Sequence, residues 1–243
     1  MDFGQIRRFG KLGPLVMAAA LLAACDVAPV STQAPAPAVQ PASAKLSPNQ
    51  AARAFVAVVK TVEPVAEREC RARTSGVNCD FHIVVDDRPG QPANAFQTLD
   101  KNGRPVVAFT LALIKEARNS NELAFVLGHE TAHHIAGHIG RQQQNAVAGA
   151  VIFAGLATLS GGDVSAVRSA QRLGAQVGAR SSSKNFELEA DALGTVITKK
   201  AGYDPISGAA FFTRIPDPGD KFLGTHPPNA ARIETVKRTA AGL

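Results

Sequence analysis

The chain is 243 residues long and 45% hydrophobic, with a formal net charge of +6, one tyrosine and no tryptophan. That length suffices for one domain of ordinary size with a real core. A nucleic-acid protein would show a basic stripe with interleaved aromatics; none is visible, so no nucleic-acid partner is expected and the basic excess reads as solvated surface near anionic lipid.

Arg7, Arg8 and Lys11 precede an uncharged apolar run over 12–24 that ends in Leu22-Ala23-Ala24-Cys25. The run is too short to span a bilayer as a mature helix. It resembles a bacterial lipoprotein signal peptide at 1–24, with Cys25 acylated as the new N-terminus. Its removal takes away three basic groups and one acidic group, leaving about +4. The expected location is the periplasm, with the protein lipid-anchored to a membrane. Asp26 resembles an inner-membrane retention signal and tilts the choice that way, with the outer membrane as the alternative. Residues 25–48, rich in Ala and Pro, read as the lipidated cysteine and a tether, and 49–243 as one domain. With Cys25 lipidated, Cys70 and Cys79 form an even pair, for which an oxidising compartment predicts a disulfide.

Helical spacing of apolar residues runs from 49 to about 73, with an interruption or kink expected at Pro64. Strands are expected at 81–85 and 106–110, with Asp100-Lys101-Asn102-Gly103 as a turn between them. His82 alternates on the first strand and reads as structural. Ser120 is the expected cap of a helix through the apolar run 123–127. The uncharged, Ala- and Gly-rich stretch 146–160 is short and glycine-interrupted for a membrane span. It reads as a buried or membrane-touching helix that ends at Gly161-Gly162. Further helices are expected at 165–178, at 184–201 with Gly202 as C-cap, after Asp204-Pro205, and at 229–239. The fold class is α+β, mainly helical, with a small sheet ahead of the central helix.

That helix carries His129-Glu130-Thr131-Ala132-His133. Positions i and i+4 share one helical face, so both imidazoles can reach one metal ion, with Glu130 close enough to take a proton from an attacking water. Two templates offer a third ligand. The metzincin spacing fails, because Ala136 and Ile139 stand where it needs Gly and His. His134 and His138 lie off the His129/His133 face at 100° per residue and read as polar-face or structural residues. The other template takes a glutamate from a later helix. Glu187 and Asp191 share a face one turn apart, so Glu187 can reach the metal while Asp191 bonds the far nitrogen of a ligand histidine. Glu189 points away and reads as surface.

These pieces, with Asn94-Ala95-Phe96 before them and Thr225-His226-Pro227-Pro228 and Arg232-Ile233 after them, resemble the gluzincin peptidases grouped with the CAAX prenyl protease and HtpX. The likeness covers about 93–243 and is strongest to their soluble periplasmic lipoprotein members. It implies a zincin-like core with a small sheet beside the active-site helix, and one Zn2+ per chain held by His129, His133 and Glu187. Glu130 would be the general base, and the region from Asn94 through Ala95 and Phe96 the edge strand that binds substrate. His226 would either stabilise the oxyanion or act as a fourth, inhibitory ligand; a plain cap on the last helix is the bland reading. Arg232 would orient this loop, bind substrate or form a salt bridge. The implied substrates are unfolded or damaged envelope proteins. The rival expectation is a lipid-anchored chaperone or assembly factor with a latched or structural zinc.

Overall fold

The computed structural model describes residues 45–243. The expected signal peptide, Cys25 and most of the expected tether lie outside these residues. The last tether positions do not belong to a tether. Leu46 packs against the core, and Ser47 caps helix α1 (Pro48–Arg73) through a reciprocal capping box with Gln50. Serine accepts from the third helical N–H while glutamine reaches back to the cap, which fixes where the helix starts.

Pro64 lies inside α1 without ending it, so of the expected interruption or kink the interruption does not occur. An interior proline costs about 3 kcal/mol. Val58, Val62, Val65 and Ala66 are buried on either side of it, and burial of a valine contributes about 1.5–3 kcal/mol. The buried stripe therefore outweighs the lost hydrogen bond. A disulfide joins Cys70, at the end of α1, to Cys79, with Cα atoms 5.7 Å apart.

Three strands follow: β1 (His82–Asp86), β2 (Ala95–Leu99) and β3 (Pro105–Thr110). Their order is β1-β3-β2, with β1 parallel and β2 antiparallel to β3. The Asp100–Gly103 turn joins β2 to β3; Gly103 donates to Asp100 at 3.0 Å and has φ 79°, a value glycine adopts without strain. The central β3 is nearly all buried, which fits the apolar run Val106 to Phe109. β2 is an edge strand.

Helix α2 (Leu111–Glu116) leads into α3 (Ser120–Ile135). Its cap is Asn119 rather than the expected Ser120: the Asn119 side chain accepts from the Glu122 N–H at 3.1 Å. Glu122 is itself buried and forked to Arg214 at 2.7 and 2.8 Å. Helices α4 (His138–Leu159) and α5 (Val164–Ser181) form a hairpin. Of the two readings of 146–160, the buried one is corrected here, since His138 is the one buried residue of α4 and Val147, Val151, Ile152, Leu156 and Leu159 are exposed. The glycines explain it. Gly149 meets Gly174, and Gly178 meets Asn145, backbone to backbone, so the helices close on their small residues and turn the branched ones outward. Among the described residues no helix is long and apolar enough to cross a membrane.

Helix α6 (Ser183–Lys200) ends at Gly202, with φ 84°. Asp204 and Pro205 start the short α7 (Pro205–Ala209), a 3-10 turn covers Ala210–Thr213, and α8 (Asn229–Ala241) closes the domain. Helix α3 is central, packed between α1 and α6. A Cβ on Gly128 would lie 2.8 Å from Gly194 O, and one on Gly194 would lie 2.8 Å from His129 N. The α3–α6 crossing therefore requires glycine on both sides. Gly194→Ala is expected to lower stability in urea unfolding by about 1–3 kcal/mol through overpacking. Gly155→Ala, with open space around it, is expected to be neutral or to gain up to about 1 kcal/mol. Equal effects at the two positions would contradict the contact.

Candidate active site

The backbone approach of α3 and α6 sets two short polar faces against each other. On α3, the Nε2 atoms of His129 and His133 face each other at 3.0 Å. On α6, Glu187 Oε2 lies 3.6 Å from His129 Nε2, and Glu187 Oε1 lies 3.5 Å from His133 Nε2. One ligating atom from each residue falls within 4.8 Å of the others. Two imidazole nitrogens at 3.0 Å must share a proton, so a divalent cation would replace that proton and relieve the facing lone pairs.

The surroundings prepare the ligands. Burial, and then the neighbouring His129, push His133 down to about 3, so it is neutral and free to ligate. Burial also pulls His129 down, but its bond to Asp191 outweighs this and raises it. Glu187 is pushed up by burial, yet the His226 hydrogen bond and the cationic neighbours win and hold it well below the usual carboxylate range. It is therefore ionised. Asp191 is fully buried, with Oδ1 2.9 Å from His129 Nδ1. That bond fixes the tautomer and aims the Nε2 lone pair at the cluster. The donor set of two imidazoles and one carboxylate fits a zinc-type ion with a position left open.

Arg232 makes the salt bridge that was one of its expected roles. Its guanidinium is buried and forks onto Asp191, Nε to Oδ2 at 2.8 Å and Nη2 to Oδ1 at 2.7 Å, with its carbon 4.0 Å over the Phe212 ring. Its Nε and Nη2 hold the carboxylate behind His129, and Nη2 also lies 3.4 Å from Glu187 Oε2. His226 Nδ1 lies 3.2 Å from Glu187 Oε2 with its side chain half-exposed, outside the three-residue group. The loop bearing it is tied down by Asn229, which donates to Asp217 and to Ile215 O. Around these groups runs a cleft of about 890 Å3, walled by Phe96, Phe125, Phe211 and Phe212.

The sequence profile described as Peptidase family M48 matches residues 55–240. The chain belongs to peptidase family M48. That family is one of metallopeptidases of the gluzincin kind. It is similar to the "Beta-barrel assembly-enhancing protease" of Yersinia pestis, 28% identical over 191 residues, which covers 70% of this chain and 36% of that protein. The protein of the same name from Escherichia coli O157:H7 is 25% identical over 191 residues, with the same coverage. The "Putative beta-barrel assembly-enhancing protease" of Vibrio cholerae is 31% identical over 121 residues, covering 46% of this chain and 24% of that protein. The chain thus matches about a third or less of the length of these relatives.

Within this M48 domain, β2 faces the cleft with alternate backbone groups. Thr110 N–H donates to Asn94 O at 2.9 Å, which makes Asn94 and Thr110 a hydrogen-bonded pair. By antiparallel alternation Phe96 and Thr98 also bond inward to β3, while Ala95, Gln97 and Leu99 turn their N–H and C=O to the free edge. Of the three expected substrate-strand residues, then, only Ala95 offers free backbone. Asn94 is committed to Thr110, and Phe96 contributes its exposed ring. Gln97, which motif reading passed over, points its N–H at Glu130.

His138 and Glu189, which read from the sequence as polar-face or structural and as surface, stand behind the site. His138 is buried, with Nδ1 2.8 Å from His133 Nδ1. The 100° spacing does not extend to it, because α3 ends at Ile135 and Gly137, at φ 66°, turns the chain before α4 begins; it nevertheless lies outside the three-residue group, as expected. Glu189, expected as plain surface, reaches His138 and Arg141. His134, off the ligand face as expected, bonds Asn78 O at 2.7 Å.

Burial, partly offset by His129, pushes Glu130 up to about 7. In chelator-treated protein the folded state therefore keeps a proton at pH values where the unfolded chain, near 4.5, has lost it. Stability is greatest below that unfolded value and falls as pH rises through about 7. Glu130→Gln is expected to match the wild type at low pH and to be the more stable at pH above about 8 in urea titrations of the metal-free protein. A variant no more stable at high pH would contradict the burial.

Proposed function

We propose that this chain is a zinc-dependent endopeptidase that cleaves unfolded or misassembled proteins of the bacterial cell envelope. The observation that carries this reading is the convergence of His129, His133 and ionised Glu187 on one point, with Glu130 beside it in an open cleft. Zinc bound there would polarise a scissile carbonyl and lower the pKa of a water. Glu130, beside that point in the cleft, takes the proton of the attacking water and passes it to the leaving amine. Asp191 and Arg232 keep His129 in its ligating tautomer.

An extended segment would lie along β2, bonding the free N–H and C=O of Ala95 and the C=O of Gln97. Main-chain recognition with an aromatic wall supplies affinity and little sequence selectivity, which suits unfolded clients. The names of the relatives, with their reference to β-barrel assembly, favour envelope quality control. The Cys70–Cys79 bond favours an oxidising compartment, in line with a periplasmic protein anchored through Cys25. His226, bonded to Glu187 and reaching solvent, is read as a helper at the open side of the site rather than as an inhibitory ligand.

The mature protein is expected to hold about one zinc and to cleave casein. Glu130→Gln should lose at least about 100-fold of that activity with zinc content and circular dichroism unchanged. Full cleavage by the variant would remove Glu130 as the base. A wild type that never cleaves, but whose envelope phenotype survives Glu130→Gln, would favour the chaperone. His226→Ala is expected to slow cleavage, whereas faster cleavage would show a latch.

A further inference from the structure

The rear face of His129 is held by Asp191 and Arg232, but His133 meets no carboxylate there. It meets another ring. His133 Nδ1 and His138 Nδ1 lie 2.8 Å apart, and only one proton can occupy that gap. With a metal ion on its Nε2, which faces His129 and Glu187, the proton of His133 is on Nδ1, and His138 Nδ1 must accept it. The proton of His138 is then on Nε2, which faces Glu189 Oε2 at 3.2 Å. Glu189 Oε2 also accepts from Arg141 Nη1 at 2.7 Å. The Phe186 ring stacks on His138 at 4.5 Å and 15°, and the Arg141 guanidinium lies 4.4 Å over that same ring.

We infer that His138, aligned by Glu189 and Arg141, is a positioning residue that fixes the tautomer and orientation of the metal ligand His133. This rests on the zinc reading above. Each ligand histidine is then backed by a carboxylate and an arginine, directly for His129 and through one interposed neutral ring for His133. The interposed ring follows from the backbone. Gly137 turns the chain immediately after α3, so the first residue of α4 swings behind His133 and the carboxylate of α6 meets it there. A hydrogen-bonded outer partner of a ligand histidine is worth about 10–100-fold in metal affinity.

The test is zinc affinity of the full chain, measured by competition with a chelating dye, together with the visible spectrum of the Co2+-substituted protein. His138→Phe keeps a ring against Phe186 but removes the acceptor, and should bind zinc about 10–100-fold more weakly. His138→Asn places an oxygen near the position of Nδ1 and should recover most of that loss. The Co2+ spectrum should keep its shape in both, because no ligand is exchanged. Wild-type affinity in His138→Phe, or no recovery with Asn, would overturn the inference; so would a changed Co2+ spectrum that marks His138 as a ligand. Should the Phe variant not fold, the half-exposed Glu189 serves instead: Glu189→Ala should weaken zinc binding several-fold, Glu189→Gln less, and two unchanged affinities would overturn it. A wild type that binds no zinc would sink the zinc reading as well, whereas normal wild-type binding with unaffected variants sinks only this inference.

Discussion

The site depends on one steric constraint, the crossing of α3 and α6 at Gly128 and Gly194. There the backbone of α6 lies against the backbone of His129 itself, closer than any side chain would permit. From that contact outward, one turn of α6 puts Asp191 behind His129 and the next puts Glu187 in front of it. The same contact leaves Ala124 and Thr198 together in the interior, where the threonine hydroxyl is satisfied within the interface. A metal site needs its donors held within fractions of an ångström, and two apposed glycines give a stiffer reference than any pair of packed leucines.

Electrostatics then divides the site into layers. Burial taken alone would neutralise every carboxyl in it. Glu187 and Asp191 nevertheless stay ionised because histidines and Arg232 surround them, while Glu130, facing the cleft with weaker cationic support, is pushed up to about 7. The same low-dielectric surroundings thus yield two anions that hold structure and one carboxyl poised near neutrality. Divergent environments for neighbouring carboxyls are how acid–base roles become separated.

How much of this is legible in the sequence depends on how local each feature is. His129, Glu130 and His133, and likewise Glu187 and Asp191, are related by helical periodicity alone, and the structure brings them together as that periodicity suggests. The capping of α1 and the Asp204-Pro205 start are equally local. Failures begin where a partner decides. Residues 146–160 look buried or membrane-touching by composition, yet Gly149 faces α5 and the branched residues face out. Arg232 stays open between loop, substrate and salt bridge until α8 is seen to lie against α6, and His138 reads only as polar-face or structural until Gly137 ends the helix that the angular argument assumed. The alternation of β2 needs its register with β3, which no strand reveals by itself.

The position of His138 also gives the α4–α5 hairpin a meaning beyond its exposed surface, since its first residue stands directly behind a ligand histidine. The central claim, that His129, His133 and Glu187 together hold one zinc, is tested most directly by X-ray absorption at the zinc edge on the purified mature protein, with metal content measured on the same sample. The account predicts about one zinc per chain in a shell of two imidazoles and oxygen donors. A shell with three or more imidazoles, or with sulfur, or a protein that holds no zinc when loaded at equimolar metal, would contradict it.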